Sequence, residues 1–314
     1  MVEMNKICNF DILLEEAFMS FNPDRKSISP DENDSLLSVI NGFEDNHWLM
    51  KAFKQFVFDN ITQTALNAEE RKKLVDSGYS SLIEAAKHLR LIEDKGKGSE
   101  IAEIALYGIM KHHFGALSAV PKIFYKQNDH DNAKGADGVH IVLTEDGDFQ
   151  LWLGEAKFYN SIEDNRLGEP IDSVCQMLKT AILKKEVGIM TSLNELDYQI
   201  TDPVLLKKVK DSLLAGLLSV DNLKKRIHVP ILLLHECKIT SGATELTDEY
   251  KQAIIDKHRE RATAFFKKQI NKLNSIPHYE WIQFHLILFP VPKKDDIVSW
   301  FLTRGKQLQE DANE

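Results

Sequence analysis

The stretch from Gly138 to Phe158 constrains this chain more than any other. Two runs rich in β-branched, aromatic and aliphatic residues, Gly138 to Glu145 and Phe149 to Phe158, flank Glu145-Asp146-Gly147-Asp148. Asp-Gly between such runs is a hairpin signal. A further strand is expected over Ala119 to Lys126, and Val229 to His235 is a nearly continuous apolar run, as in a strand buried on both faces. Trp281 to Phe289, closed by Pro290 and Pro292, is the last expected strand. Helical spacing marks Glu100 to Phe114, capped by Ser99, then Ile171 to Lys185, Pro203 to Val220, the long basic Glu245 to Leu273, and a charged C-terminal helix. The order α-β-β-β-α-α-β-α-β-α predicts an α/β fold, a sheet flanked by helices.

The first hundred residues are expected to be helical. Asn22-Pro23, Ser29-Pro30 and Asn41-Gly42 interrupt them, and Ala68 to Arg90 carries apolar residues at helical spacing. Lys95-Gly96-Lys97-Gly98 is the best boundary. The chain then divides into a helical N-terminal region (1–95), a core (96–292) and a C-terminal helix (293–314).

Length and charge narrow the class. A chain of 314 residues is one large domain or two modest ones. No apolar run approaches the roughly 18 residues of a membrane span, and the acids in MVEMNKICNFDILLEEAF do not fit a signal peptide, so a cytoplasmic protein is expected. Cys8, Cys175 and Cys237 are too few and too scattered for a disulfide framework. Lys plus Arg number 39 against 48 Asp plus Glu, a net charge of −9. That sign argues against nucleic-acid binding by whole-body charge, but the distribution is uneven. Residues 1–60 carry 11 acids and 5 bases, whereas residues 200–275 carry 14 bases and 9 acids. The basic half can meet phosphates, or Lys207, Lys208, Lys210, Lys224, Lys225, Arg226, Lys267 and Lys268 are simply solvated helix faces. The acidic N-terminal region suits a protein partner better than DNA.

The sharpest chemical signal is Asp137 followed, across the hairpin, by Glu155-Ala156-Lys157. Side chains alternate along a strand, so Glu155 and Lys157 share a face. A two-residue Asp146-Gly147 turn would set Asp137 opposite Ala156 and point it away; an odd-length loop or a β-bulge puts all three together. Two carboxylates so placed can hold Mg²⁺ or Mn²⁺, and the lysine can orient a water for attack on a phosphodiester. Glu103, or its neighbour Glu100, is placed one helix back to support the site or bind a second metal. Glu-x-Lys alone is weak, since it also begins at Glu70, Glu93, Glu236 and Glu249. The real rival is Glu236-Cys237-Lys238 with Asp221, which lacks a hairpin to join acid to lysine. Otherwise Glu155 and Lys157 form an ion pair at a strand end. His112-His113 and His235-Glu236-Cys237 lack metalloprotease spacing, and no phosphate-binding glycine loop or Gly-x-Ser-x-Gly occurs. Any motor activity must come from a partner. His140 has the opposite parity from Asp137, and Lys122 and Lys126 can touch phosphates or lie on a solvated edge.

Pattern and order resemble the PD-(D/E)XK nuclease superfamily, although Ala136 stands where its usual proline precedes the acid. Glu103-Ile-Ala-Leu-Tyr107, Val-Pro-Lys-Ile-Phe-Tyr-Lys at 120–126, Gly135-Ala-Asp137-Gly-Val-His and Leu-Trp-Leu-Gly-Glu155-Ala-Lys157-Phe-Tyr resemble, more narrowly, the HamA family of Hachiman anti-phage defence systems. The resemblance is closest over residues 99–160 and weaker to residue 290. It implies a restriction-endonuclease-like core and a metal-dependent DNA nuclease restrained by a superfamily 2 helicase (HamB-like) until invading or damaged DNA is sensed. On it, Asp137 and Glu155 bind Mg²⁺ or Mn²⁺, Lys157 activates water and Glu103 supports the site. The alternative is a non-catalytic nucleic-acid-binding or regulatory subunit of a helicase complex.

Overall fold

A computed structural model of the chain describes residues 6–22, 32–91, 98–125 and 135–313. Its strands are β1 (Lys6–Ile7), β2 (Phe10–Ala17), β3 (Asp34–Ile40), β4 (Phe43–Glu44), β5 (His47–Trp48), β6 (Leu117–Val120), β7 (Gly138–Leu143), β8 (Phe149–Tyr159), β9 (Ile227–Glu236) and β10 (Gln283–Val291). Strands β4 and β5 form a small ribbon; the other eight make one mixed sheet in the order β1-β2-β3-β10-β9-β8-β7-β6. The run β3-β10-β9-β8 is parallel, and β7 and β6 add on antiparallel. Both faces of β9 are buried, which explains its unbroken apolar sequence.

Strand alternation sorts the core into two layers. Val139, Ile141, Leu151, Leu153, Ile231 and Leu233 face the helices Gly168–Met177, Thr180–Ser192, Pro203–Leu218 and Asp248–Leu273. Trp152, Ala156, Phe158, Leu232 and Leu234 face the helices Met50–Ala65, Ser99–His113 and Lys294–Asp311. Gly154 belongs to this second face, where a Cβ would lie 2.6 Å from Leu106 Cδ2, so the absent side chain admits the Ser99–His113 helix.

The N-terminal segment differs from the helical region expected over 1–95. Its first part contributes β1, β2 and β3 to the main sheet, with one helical turn at Phe18–Phe21 between β2 and β3, and the first long helix begins at Met50. The physical reason is tertiary: Asp34–Ile40 is almost wholly buried between β2 and β10, and that pairing outweighs the helical spacing of FDILLEEA. The single helical pattern expected over Ala68 to Arg90 is two helices, Ala68–Lys73 and Gly78–Lys87, the first opened by an Asn67–Glu70 capping box. The strand expected over Ala119 to Lys126 stops at Val120, and Lys122–Tyr125 is a helical turn. Pro290 lies inside β10, paired with His235, instead of ending it. The expected boundary at Lys95-Gly96-Lys97, and with it Lys126, lies outside the described residues. Among the described residues no helix is long and apolar enough to cross a membrane.

Candidate active site

The turn between β7 and β8 decides which side chains meet. Thr144 N–H donates to Asp148 O at 2.9 Å and Gly147 N–H to Thr144 O at 3.0 Å, leaving three residues at the tip. Gly147 occupies the left-handed region, φ 73°, that this three-residue loop requires. Leu143 therefore pairs with Phe149 and Gly138 with Gly154, so Asp137, one residue further out, stands across from Glu155. An odd-length loop is what the shared face demanded, and Asp137, Glu155 and Lys157 lie together on the first layer's face.

Each of the three is fixed. The Asp137 backbone N–H donates to Gly154 O at 2.7 Å, and its carboxylate accepts the Ala156 N–H at 3.1 Å. Glu155 is 3% exposed and lies 2.5 Å from the Lys157 ammonium. Burial raises the Glu155 carboxyl above the usual range and the neighbouring Asp137 charge raises it further, while Lys157 and a hydrogen bond from Ser173 pull the other way. Burial alone would lower Lys157, yet the carboxylates of Glu155 and Asp137 outweigh it, and the ammonium is held above its ordinary pKa. The Gly168–Met177 helix closes the site, with Ser173 on Glu155 and Glu169 accepting a hydrogen bond from the Tyr159 hydroxyl at 3.0 Å.

Behind Asp137 lies a pair of charges that the sequence did not reveal. Glu186, 1% exposed on the Thr180–Ser192 helix, takes the Lys122 ammonium on both oxygens at 2.8 and 2.7 Å and accepts the Ala136 N–H at 3.2 Å. A Cβ on Gly135 would sit 1.8 Å from Glu186 Oε1. Glycine is therefore the residue that lets this carboxylate reach the backbone beside Asp137. The signal was present in the pattern: Leu183, Glu186, Val187 and Met190 are the buried positions of that helix, an acid set in an apolar stripe. Lys122, expected to touch phosphates or lie on a solvated edge, is instead buried on Glu186.

Glu103 is 5% exposed on the helix that packs on the opposite face of the hairpin, and its charge acts on Tyr107 one turn away. Among the described residues no three acidic, histidine or cysteine side chains converge as a metal cage. Asp137 and Glu155 are the acids brought together. Glu100 is occupied elsewhere, its carboxylate accepting the Arg90 N–H at 2.9 Å.

Two carboxylates sharing one face, the Asp137 charge raising the cost of ionising the buried Glu155, fit a divalent cation that keeps several waters. The rival motif has other work. Glu236 accepts the Lys294 N–H at 3.0 Å at the start of the last helix, and the exposed Asp221 pairs with the buried Lys224. His112 bonds Asn60 and His113 bonds Glu15. The basic run is largely neutralised locally: Lys207 pairs with Asp211, Lys210 with Asp197, and Lys208 and Arg226 with Asp148.

Compared with known protein families, residues 16–304 of the 314 match the family model described as HamA. No curated protein matches the chain.

Proposed function

The chain belongs to the HamA family, which makes it a component of Hachiman anti-phage defence, and we propose that it is that system's metal-dependent DNA nuclease, with a PD-(D/E)XK core. The observation that carries this reading is the convergence of Asp137, Glu155 and Lys157 on one face of the β7–β8 hairpin. Asp137 and Glu155 would hold Mg²⁺ or Mn²⁺, which when bound polarises the scissile phosphate and acidifies a water. The Ala156 N–H holds the Asp137 carboxylate in place at 3.1 Å, so little reorganisation is needed for it to take part. Lys157 is kept as an ammonium by its two acidic neighbours, so it donates hydrogen bonds. That suits it to orient the attacking water and to offset charge developing on the phosphate, not to act as a base. Ser173 steadies Glu155 from the covering helix, and Glu103 stands behind the hairpin as a supporting acid. A superfamily 2 helicase of the HamB kind supplies the motor and restrains cleavage, and the isolated chain is a weak nuclease.

Lys157→Ala tests this. The wild type and the variant are each purified with the helicase encoded beside them and assayed on DNA with Mg²⁺ and ATP. Cleavage and phage protection should fall by about 10² or more, with the melting temperature and helicase binding nearly unchanged. Retained protection would assign the chain instead to a non-catalytic role in the helicase complex.

A further inference from the structure

Immediately beyond the site, β8 runs into an acidic loop laid across a row of cations. Buried Ile162 and Leu167 anchor its ends, and Glu163, Asp164, Asn165 and Arg166 between them are exposed. Asp164 lies 2.9 Å from the Arg261 guanidinium, and Glu163 lies 3.5 Å from the same group and 3.8 Å from the Lys257 ammonium. Lys268 donates to the Asp164 carbonyl at 2.6 Å. All three cations project from the Asp248–Leu273 helix.

The geometry is lopsided in an informative way. The carboxylate side chains of Glu163 and Asp164 are 61% and 67% exposed, while the Arg261 side chain beneath them is 10% exposed. Exposed acids gain little from such pairs. The cations at 257, 261 and 268 lie on one helix face, one turn and then two turns apart. Glu260 sits beside Lys257 at 3.6 Å and pairs with Arg261, Lys268 is already exposed, and Lys and Arg in such a row can neutralise phosphates. The row is also continuous with the reaction centre, because Arg166 lies over the Tyr159 ring at 6.0 Å and Tyr159 bonds Glu169, whose charge acts on Lys157.

We propose that Glu163 and Asp164 form an internal stand-in for phosphate, covering the Lys257 and Arg261 end of a DNA-backbone track that continues to the exposed Lys268, and that the DNA strand displaces them on its way to the site. This rests on the nucleic-acid substrate proposed above. It gives the chain a brake of its own: the track opens only to a polyanion able to outcompete two carboxylates that are already in place.

The test is binding of a labelled duplex DNA by the full chain in EDTA, so that no cleavage occurs, at several salt concentrations. Glu163→Gln with Asp164→Asn should tighten binding about 3-fold or more near 0.1 M salt and steepen the salt dependence by about one to two ions. Adding Lys257→Ala to that double variant should reverse much of the gain, whereas Lys257→Ala alone, whose charge Glu163 already faces at 3.8 Å, should change little. Glu163→Gln alone, whose contacts are the longest, provides the same reading if the double variant is unstable. Unchanged or weaker binding by both variants, with a lowered melting temperature, would overturn the proposal and leave the loop as a structural strap. If the wild type binds DNA and the strap variants bind no better, only this inference falls. Absence of DNA binding by every form would overturn it too, and the nuclease reading would then be decided by the separate Lys157→Ala cleavage assay.

Discussion

Glu186 grips Lys122 through both carboxylate oxygens, at 2.8 and 2.7 Å, while accepting the Ala136 N–H at 3.2 Å, and so a helix 50 residues away in sequence fixes the peptide that precedes Asp137. Removing one member of such a buried pair strands the other. Glu186→Ala should cost about 3–5 kcal/mol of stability, measured by urea unfolding. Lys122→Met with Glu186→Leu should recover much of that loss. It should not recover Mn²⁺ affinity, because the acceptor that aligns Ala136 is still missing. Full recovery of both would make the pair a matter of packing alone.

Gly135→Ala addresses the same contact from the other side. The new methyl would sit 1.8 Å from Glu186 Oε1, and that carboxylate has no slack, being held by Lys122. A cost of about 1–3 kcal/mol is expected, with metal binding weakened in step. At Gly147, the one tip glycine with positive φ, alanine should strain the loop and leave the Lys122–Glu186 contact untouched.

Metal affinity should depend on pH through Glu155. Its carboxyl is raised by burial and by Asp137, so metal binding must displace a proton at pH values where an ordinary glutamate is already ionised. Mn²⁺ affinity measured calorimetrically should fall as the pH drops below neutrality, with close to one proton released per ion. The apoprotein should show the opposite sign. A carboxyl with a raised folded pKa binds more protons folded than unfolded, so its contribution to stability is lost as pH rises through that value. Glu155→Gln should flatten both dependences.

Acid should unfold the protein early. His140, His228, His235 and His285 are pushed down to about 3, 4, 4 and 3 by burial, and His258 is lowered as well. Each is neutral when folded and takes a proton on unfolding below about pH 6.5. The unfolded chain therefore binds more protons between about pH 6.5 and 4, and stability falls as pH falls through that window. The slope is about 1.4 kcal/mol per pH unit for each histidine. Denaturant midpoints measured from pH 7 to pH 5 would check this, and a flat profile would contradict it.

The site hairpin was legible because its information is local. Two apolar runs, a turn with Asp-Gly and charges at the strand end sit within 22 residues, and the parity argument needed only the loop length. β9 was legible for the same reason, as an apolar run with nowhere to go but a buried strand. The N-terminal strands were not, because FDILLEEA carries helical spacing and becomes a strand only through β3, which itself depends on β10 nearly 250 residues later. Lys122 was misplaced because its partner is 64 residues away: the acid in the apolar stripe of Thr180–Ser192 marks a buried charge but does not say which cation meets it. Glu103 and Lys157 illustrate the two cases: one is set by a helix packing on the far face, the other by its own strand.

The pairing of β3 with β10 also sets a timetable for the chain's birth. Ser35 and His285 share a hydrogen bond at 2.8 Å across 250 residues of sequence. At about 5–20 residues per second on the ribosome, Ser35 waits roughly 12–50 s for its neighbour to be made. During that time the β7–β8 hairpin and β9 have already emerged, but the sheet that carries them lacks its central strand β10 and everything beyond it. A half-made copy thus carries the three charged residues in a sheet whose β9 edge is still unpaired, and the sheet is complete only after nearly the entire chain has been synthesised.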